Sequence, residues 1–202
     1  MAFLVRILTS TPLLYLVALL PSRIPVMGLF DSSWYYAHMM HASGVWSVRF
    51  LVLTIAASPV LMLIRRIGFG HPLGRWLMRQ RRHFGLISFY YAALHLLHYV
   101  FETGSPALIW YDLFQLDYFT GWVGFVIFLA LALTSNTYST RTLGHRWKVL
   151  HNGIYLAAGA IFFHWYLFDF FANQIGLWLA VFCGAKGVQF VLRKSMAAKP
   201  SG

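Results

Sequence analysis

Cysteine occurs once in this chain, at position 183. A single thiol excludes an internal disulfide framework and any zinc or iron–sulfur site built from several cysteines. Flanked by Val181, Phe182 and Gly184, it reads as a buried, inert side chain. Charge is also scarce, at 10% of residues against roughly a quarter in a soluble domain. Acids are the rarest, 5 against 16 lysines and arginines. The sequence has no Cys-x-x-Cys-His run, no glycine-rich phosphate loop and no nucleotide-binding pattern. Covalent haem attachment and nucleotide chemistry within the chain are thereby excluded. Internal repeats and low-complexity tracts are absent too.

What is present is apolar. Hydrophobic residues make up 59% of the sequence and the mean hydropathy is +0.65, so lipid is the expected solvent for most of the surface. At 202 residues the chain reads as one domain, 1–202. A hydrocarbon core of about 30 Å needs about 20 mostly apolar residues as a helix. Six stretches qualify: about 3–20, 47–64, 84–101, 119–136, 149–168 and 174–192. The expected fold is an all-α integral membrane protein, a six-helix transmembrane bundle. The first stretch is short and carries Arg6. A cleaved signal peptide is its alternative reading, although no small-x-small site follows it.

The formal charge of +11 follows topology and does not point to nucleic acid. Arg65, Arg66, Arg75, Arg79, Arg81 and Arg82 separate the second and third spans. Arg141, Arg146 and Lys148 separate the fourth and fifth, and Arg193, Lys194 and Lys199 follow the sixth. Alternating spans put all of them on one side, which is then cytoplasmic, with both termini inside. Asp31, Glu102, Asp112, Asp117 and Asp169 fall on the other side. Trp34, Tyr35, Tyr36, Trp110 and Tyr111 lie near outer span ends and read as interfacial anchors.

Nine histidines stand out against this background. An ionisable ring inside the bilayer is costly and marks a functional site by default, and neutral imidazole is a common ligand of metals and haem iron. His95 lies about 12 residues into the third span and His164 about 15 into the fifth, at comparable outer depths given the 1.5 Å rise per residue. Two rings at one depth on different helices suit a single haem iron held from opposite faces. His151 lies 13 residues before His164, about 20 Å deeper and about 140° round an ideal helix. It suggests an inner site, which would need an off-register partner: Arg81 is 14 residues before His95, and His83 is 12 before. His98, one turn beyond His95, competes for the outer site. His71 and His145 read as solvated on the inner side, and His38 and His41 as solvated on the outer side. His41 is also a candidate beside a haem edge or a quinone. For each ring the plain alternative is a histidine satisfied by a neighbouring carbonyl or hydroxyl.

The run Leu143-Gly144-His145-Arg146-Trp147-Lys148-Val149-Leu150-His151-Asn152 resembles the Leu-Gly-x-x-Trp-x-x-Leu-His-Asn motif of the MsrQ (YedZ) family. Arg81-Arg82 with Gly85-Leu86, Leu94-His95-Leu96, Leu131 to Ser135, and His41 to Gly44 with Arg49-Phe50-Leu51 fit as well. The resemblance covers about residues 38–170. It implies six helices in the bacterial inner membrane, within the ferric reductase-like transmembrane group, binding one or two b-type haems. It also implies electron transfer from the quinone pool, or from a cytosolic flavin reductase, to a periplasmic molybdopterin subunit that reduces methionine sulfoxide. FMN is associated with the family, and no residue here identifies its site. The family's haem histidines carry over to His95, His151 and His164. Arg81 stands where two-haem ferric reductases carry an inner ligand, and His83 and His98 look like additions.

The expected role is therefore a transmembrane electron relay whose substrate chemistry lies on the partner, with no catalytic residue of its own. A proton-coupled transporter with a histidine relay is the competing class, although no inverted repeat or paired broken helices support it. A stand-alone ferric reductase is the third.

Overall fold

Backbone polar groups in lipid have to be satisfied within the segment, which a helix does. Every regular element among the described residues is helical. The computed structural model describes Ala18 and residues 36–67, 71–168 and 173–197. The expected first span lies outside the described residues except for Ala18, as do Asp31, Trp34, Tyr35, Asp169 and the tail beyond 197.

The helices are α1 (Tyr36–Ile67), α2 (His71–Thr103), α3 (Pro106–Asp112), α4 (Leu116–Leu133), α5 (Thr137–Leu143), α6 (His145–His151), α7 (Ile154–Phe168) and α8 (Asn173–Ala197). Met39–Arg66, Gly74–Thr103 and Leu116–Leu133 are long and apolar enough to cross a membrane, and Ile175–Val191 is a shorter apolar helix. Large apolar side chains such as Leu97, Phe119, Val126, Leu156 and Phe190 are exposed. In water such a surface would drive aggregation, whereas in a bilayer it faces acyl chains. Cys183 is exposed on α8 and not buried as its apolar flanks suggested. Of its flanks, Val181 is exposed as well, whereas Phe182 packs on the core.

Two antiparallel helix pairs build the core. In the first, α1 packs along α2. Ser47 Oγ donates to the Ser88 carbonyl at 3.0 Å, and Ser88 Oγ donates to the Ser47 carbonyl at 2.8 Å. Small hydroxylated residues let two helices approach closely and join them by hydrogen bonds. On another face Trp46 and Phe50 of α1 stack against Tyr91 of α2, and Tyr91 Oη donates to the Ala18 carbonyl at 2.9 Å. Pro59 lies inside α1, where it has no N–H for the helix ladder. Beside that interrupted turn, Arg81 donates from Nε to the Thr54 carbonyl at 3.1 Å and from Nη1 to Ser58 Oγ at 3.3 Å.

In the second pair α4 packs on α7. A Cβ at Gly124 would come within 2.7 Å of Ile161 Cγ1, so the missing side chain sets the approach. Phe89 of α2 and Phe125 of α4 stack at 5.8 Å and join the two pairs. Phe162 and Phe182, at 5.7 Å, attach α8 to α7.

The helix expected through 149–168 is interrupted. Asn152 and Gly153 form a turn between α6 and α7, with Gly153 N–H bonded to the Leu150 carbonyl at 2.9 Å in the tighter i→i+3 pattern. His151 therefore ends one helix while His164 lies within the next.

Candidate functional site

His95 of α2 and His164 of α7 come together between the two helix pairs. Their ring centres are 6.2 Å apart and their planes stand at 87°. Both line a cavity of about 720 Å³, within the range of small-molecule and cofactor pockets.

Each ring is held by the same device. His95 Nδ1 lies 2.8 Å from the Met40 carbonyl of α1, and His164 Nδ1 lies 2.7 Å from the Asp117 carbonyl of α4. A carbonyl only accepts, so Nδ1 carries the proton in both rings. In the neutral imidazole, Nε2 then keeps its lone pair for a ligand. This is the outer-shell arrangement that fixes the tautomer and orientation of metal-binding histidines.

The donor set limits what could sit there. Among the described residues no group of three or more His, Cys, Asp or Glu could hold a metal ion. Two imidazoles suit an iron whose remaining ligands come from a macrocycle, as in haem. With metal–imidazole bonds of about 2 Å on either side, two ring centres on one ion lie roughly 6 Å apart. The observed spacing and the apolar walls from Val45, Val48, Phe125, Phe128 and Ile161 fit such a group.

The other expected residues are distributed differently. His41 is exposed and lines the same cavity. His98 is fully buried, with Nδ1 2.7 Å from the Leu94 carbonyl of its own helix, and it is not part of the cavity wall. His151 belongs to another cluster. Its ring stacks on Trp147 at 3.9 Å, and its Nε2 lies 3.1 Å from Thr134 Oγ1. Arg81 is bonded to α1 and does not line the cavity.

Sequence reasoning missed Tyr99, Tyr118 and Phe168, which line the cavity beside its two histidines. Phe168 packs on His164 at 4.9 Å and on Tyr118 at 5.1 Å, and Tyr118 packs on Tyr99 at 5.4 Å. Tyr99 Oη donates to Asp112 Oδ2 at 2.7 Å and ties α2 to the end of α3. A signal was available: Tyr99 and Phe168 each stand four residues after a cavity histidine, on the same helix face. Also missed were Gly44 and Gly121, against which the two rings lie.

A family model described as ferric reductase like transmembrane component matches residues 43–163. The match includes His95 and His151 and ends one residue before His164. The chain is similar to the protein-methionine-sulfoxide reductase heme-binding subunit MsrQ of Brucella anthropi, 38% identical over 128 residues, covering 61% of this chain and 54% of that one. It is similar to the same subunit of Rhizobium meliloti, 39% identical over 129 residues, covering 61% and 55%. The chain thus spans about half the length of the curated relatives it matches.

Proposed function

Because the chain belongs to the ferric reductase like transmembrane component family, we propose that it is a membrane haem subunit that carries electrons across the bilayer. The observation that supports this most directly is the pair His95 and His164, 6.2 Å apart, with both Nδ1 atoms committed to carbonyls and both Nε2 atoms left for iron. When bound, b-type haem supplies a one-electron iron couple. The chain's residues do the rest. His95 and His164 would hold the iron through Nε2, the Met40 and Asp117 carbonyls orient the two rings, and apolar side chains would line most of the group's surroundings. Burial and ligand basicity are the levers by which such a site tunes its potential.

The topology we propose is six spans in the bacterial inner membrane with both termini cytoplasmic, as the arginine distribution supports. The cavity then opens toward the outer face, near Glu102 and His41. The name of the relatives, heme-binding subunit of a protein-methionine-sulfoxide reductase, supports delivery to a periplasmic reductase, the expected molybdopterin protein. His151 and Arg81 lie on the inner side, where electrons would enter from a quinol or a flavin reductase.

The test is the absorption spectrum of the full chain purified in detergent from haem-replete cells. A low-spin Soret band that shifts on reduction is expected, and it should be lost in His95→Ala and in His164→Ala. A colourless wild-type protein, or undiminished haem in both variants, would overturn the reading.

A further inference from the structure

The two cavity histidines lie against glycines. A Cβ at Gly44 would stand 3.1 Å from His95 Nδ1, and a Cβ at Gly121 would stand 2.8 Å from both His164 Nδ1 and Cε1. Neither approach is an isolated accident of packing. Gly44 lies four residues after Met40, and Gly121 lies four after Asp117. Met40 and Asp117 are the residues whose carbonyls accept from the two rings.

The pattern follows from helix geometry. In an α-helix the carbonyl of residue i faces the N–H of residue i+4, so an outside donor must come in beside that residue. A side chain there would cover the carbonyl. With glycine at i+4 the surface is notched, and a flat ring can lie in the notch and share the carbonyl edgewise. The chain builds this notch twice, on α1 for a ring from α2 and on α4 for a ring from α7.

We infer that Gly44 and Gly121 are positioning residues, whose missing side chains let His95 and His164 bond the Met40 and Asp117 carbonyls and so present Nε2 to the cavity. The inference rests on the reading of those histidines as axial ligands of haem. It goes further by assigning the ligand geometry to two glycines on the facing helices.

The test uses the full-length protein in detergent with four substitutions: Gly121→Ala, Gly44→Ala, Gly124→Ala and Gly159→Ala. Gly124→Ala is the matched control, because its Cβ would meet Ile161 at 2.7 Å in the same α4–α7 contact without touching a histidine. Gly159→Ala has nothing within 4 Å of its Cβ. Two quantities are read: haem affinity, by titrating apoprotein with hemin, and the anisotropy of the low-spin ferric EPR signal, which reports the angle between the axial ring planes. Loss of an outer-shell hydrogen bond to a metal-bound histidine costs roughly tenfold or more in affinity, and Gly121→Ala is expected to show a loss of that size with an altered EPR signal. Gly44→Ala, with the looser contact, should show the same changes in weaker form. It keeps the test decisive if Gly121→Ala does not fold. Gly159→Ala should keep the wild-type EPR signal, and Gly124→Ala, which disturbs the same α4–α7 contact through Ile161 of the cavity wall, should change it less than Gly121→Ala does. Wild-type affinity and EPR in Gly44→Ala and Gly121→Ala would overturn the inference alone, as would an equal change in Gly124→Ala. A wild-type chain that takes up no hemin would overturn the ligand reading and this inference with it.

Discussion

His151 and Thr134 meet at 3.1 Å between Nε2 and Oγ1, and this contact sets His151 apart from the two cavity histidines. The Thr134 hydroxyl has one proton, which it donates to the Ala130 carbonyl at 2.7 Å. Nε2 of His151 is then the donor, the opposite tautomer from His95 and His164. Trp147 closes the cluster, stacking on the ring and donating from Nε1 to the Thr134 carbonyl at 2.9 Å. The nitrogen that the cavity histidines offer to a metal is, in His151, already in use.

Replacing His151 should therefore spare the His95–His164 site. We expect His151→Ala to keep the low-spin haem signal that depends on His95 and His164, at about one haem per chain. Pyridine haemochrome extraction against protein concentration measures it. Loss of all haem in His151→Ala would show that the His95–His164 pair does not hold a haem by itself.

His98 offers a contrast in stability. It is fully buried, and its Nδ1 bonds within its own helix. Emptying such a position leaves a cavity that the packed helices close only in part. His98→Ala should cost about 2 kcal/mol or more of stability, while haem per folded chain stays at the wild-type level. A lower thermal unfolding midpoint with an unchanged haem ratio in the monodisperse fraction is the expected pair of results. A lost Soret band in folded protein would make His98 a ligand.

The meeting of His95 and His164 was legible because rise per residue converts sequence position into a level along each helix once spans are placed. The chain between them told less. Asn152-Gly153 is a turn signal, yet the apolar window around it argued for one continuous span. The structure follows the local signal and breaks the helix there. The glycine notches could not be read at all. Which face of α1 meets His95 depends on how α1 and α2 pack, and spacing within one helix carries no information about that. The same holds for Arg81: its position 14 residues before His95 is about four turns along α2, which says nothing of its bonds to Thr54 and Ser58.

The mutual angle of the cavity rings makes a spectroscopic prediction. Perpendicular axial imidazole planes leave the two iron dπ orbitals that overlap them nearly degenerate, whereas parallel planes split them. With the planes of His95 and His164 at 87°, the ferric protein should give a strongly anisotropic low-spin EPR signal with one large g value. A rhombic spectrum of the kind given by parallel rings would mean that haem binding rotates one ring out of its carbonyl bond.

The Ser47–Ser88 clamp predicts how far the α1–α2 contact can be disturbed before the site fails. Each hydroxyl donates to the other residue's carbonyl, and each carbonyl also lies in a helix ladder. Ser88→Ala removes a donor without orphaning a carbonyl, so the loss should be about 0.6 kcal/mol, typical of interhelical hydrogen bonds in membranes. Ser88→Leu is a different perturbation. Ser88 is buried where the two backbones approach closely, and a larger side chain there forces α2 away from α1. His95 is two turns further along α2, and its bond to the Met40 carbonyl spans that same interface. Ser88→Leu should therefore lose haem as well as stability, while Ser88→Ala keeps its haem. Thermal unfolding followed at the Soret band and by intrinsic fluorescence separates the two effects. Equal haem retention in both variants would mean that His95 is positioned by α2 alone.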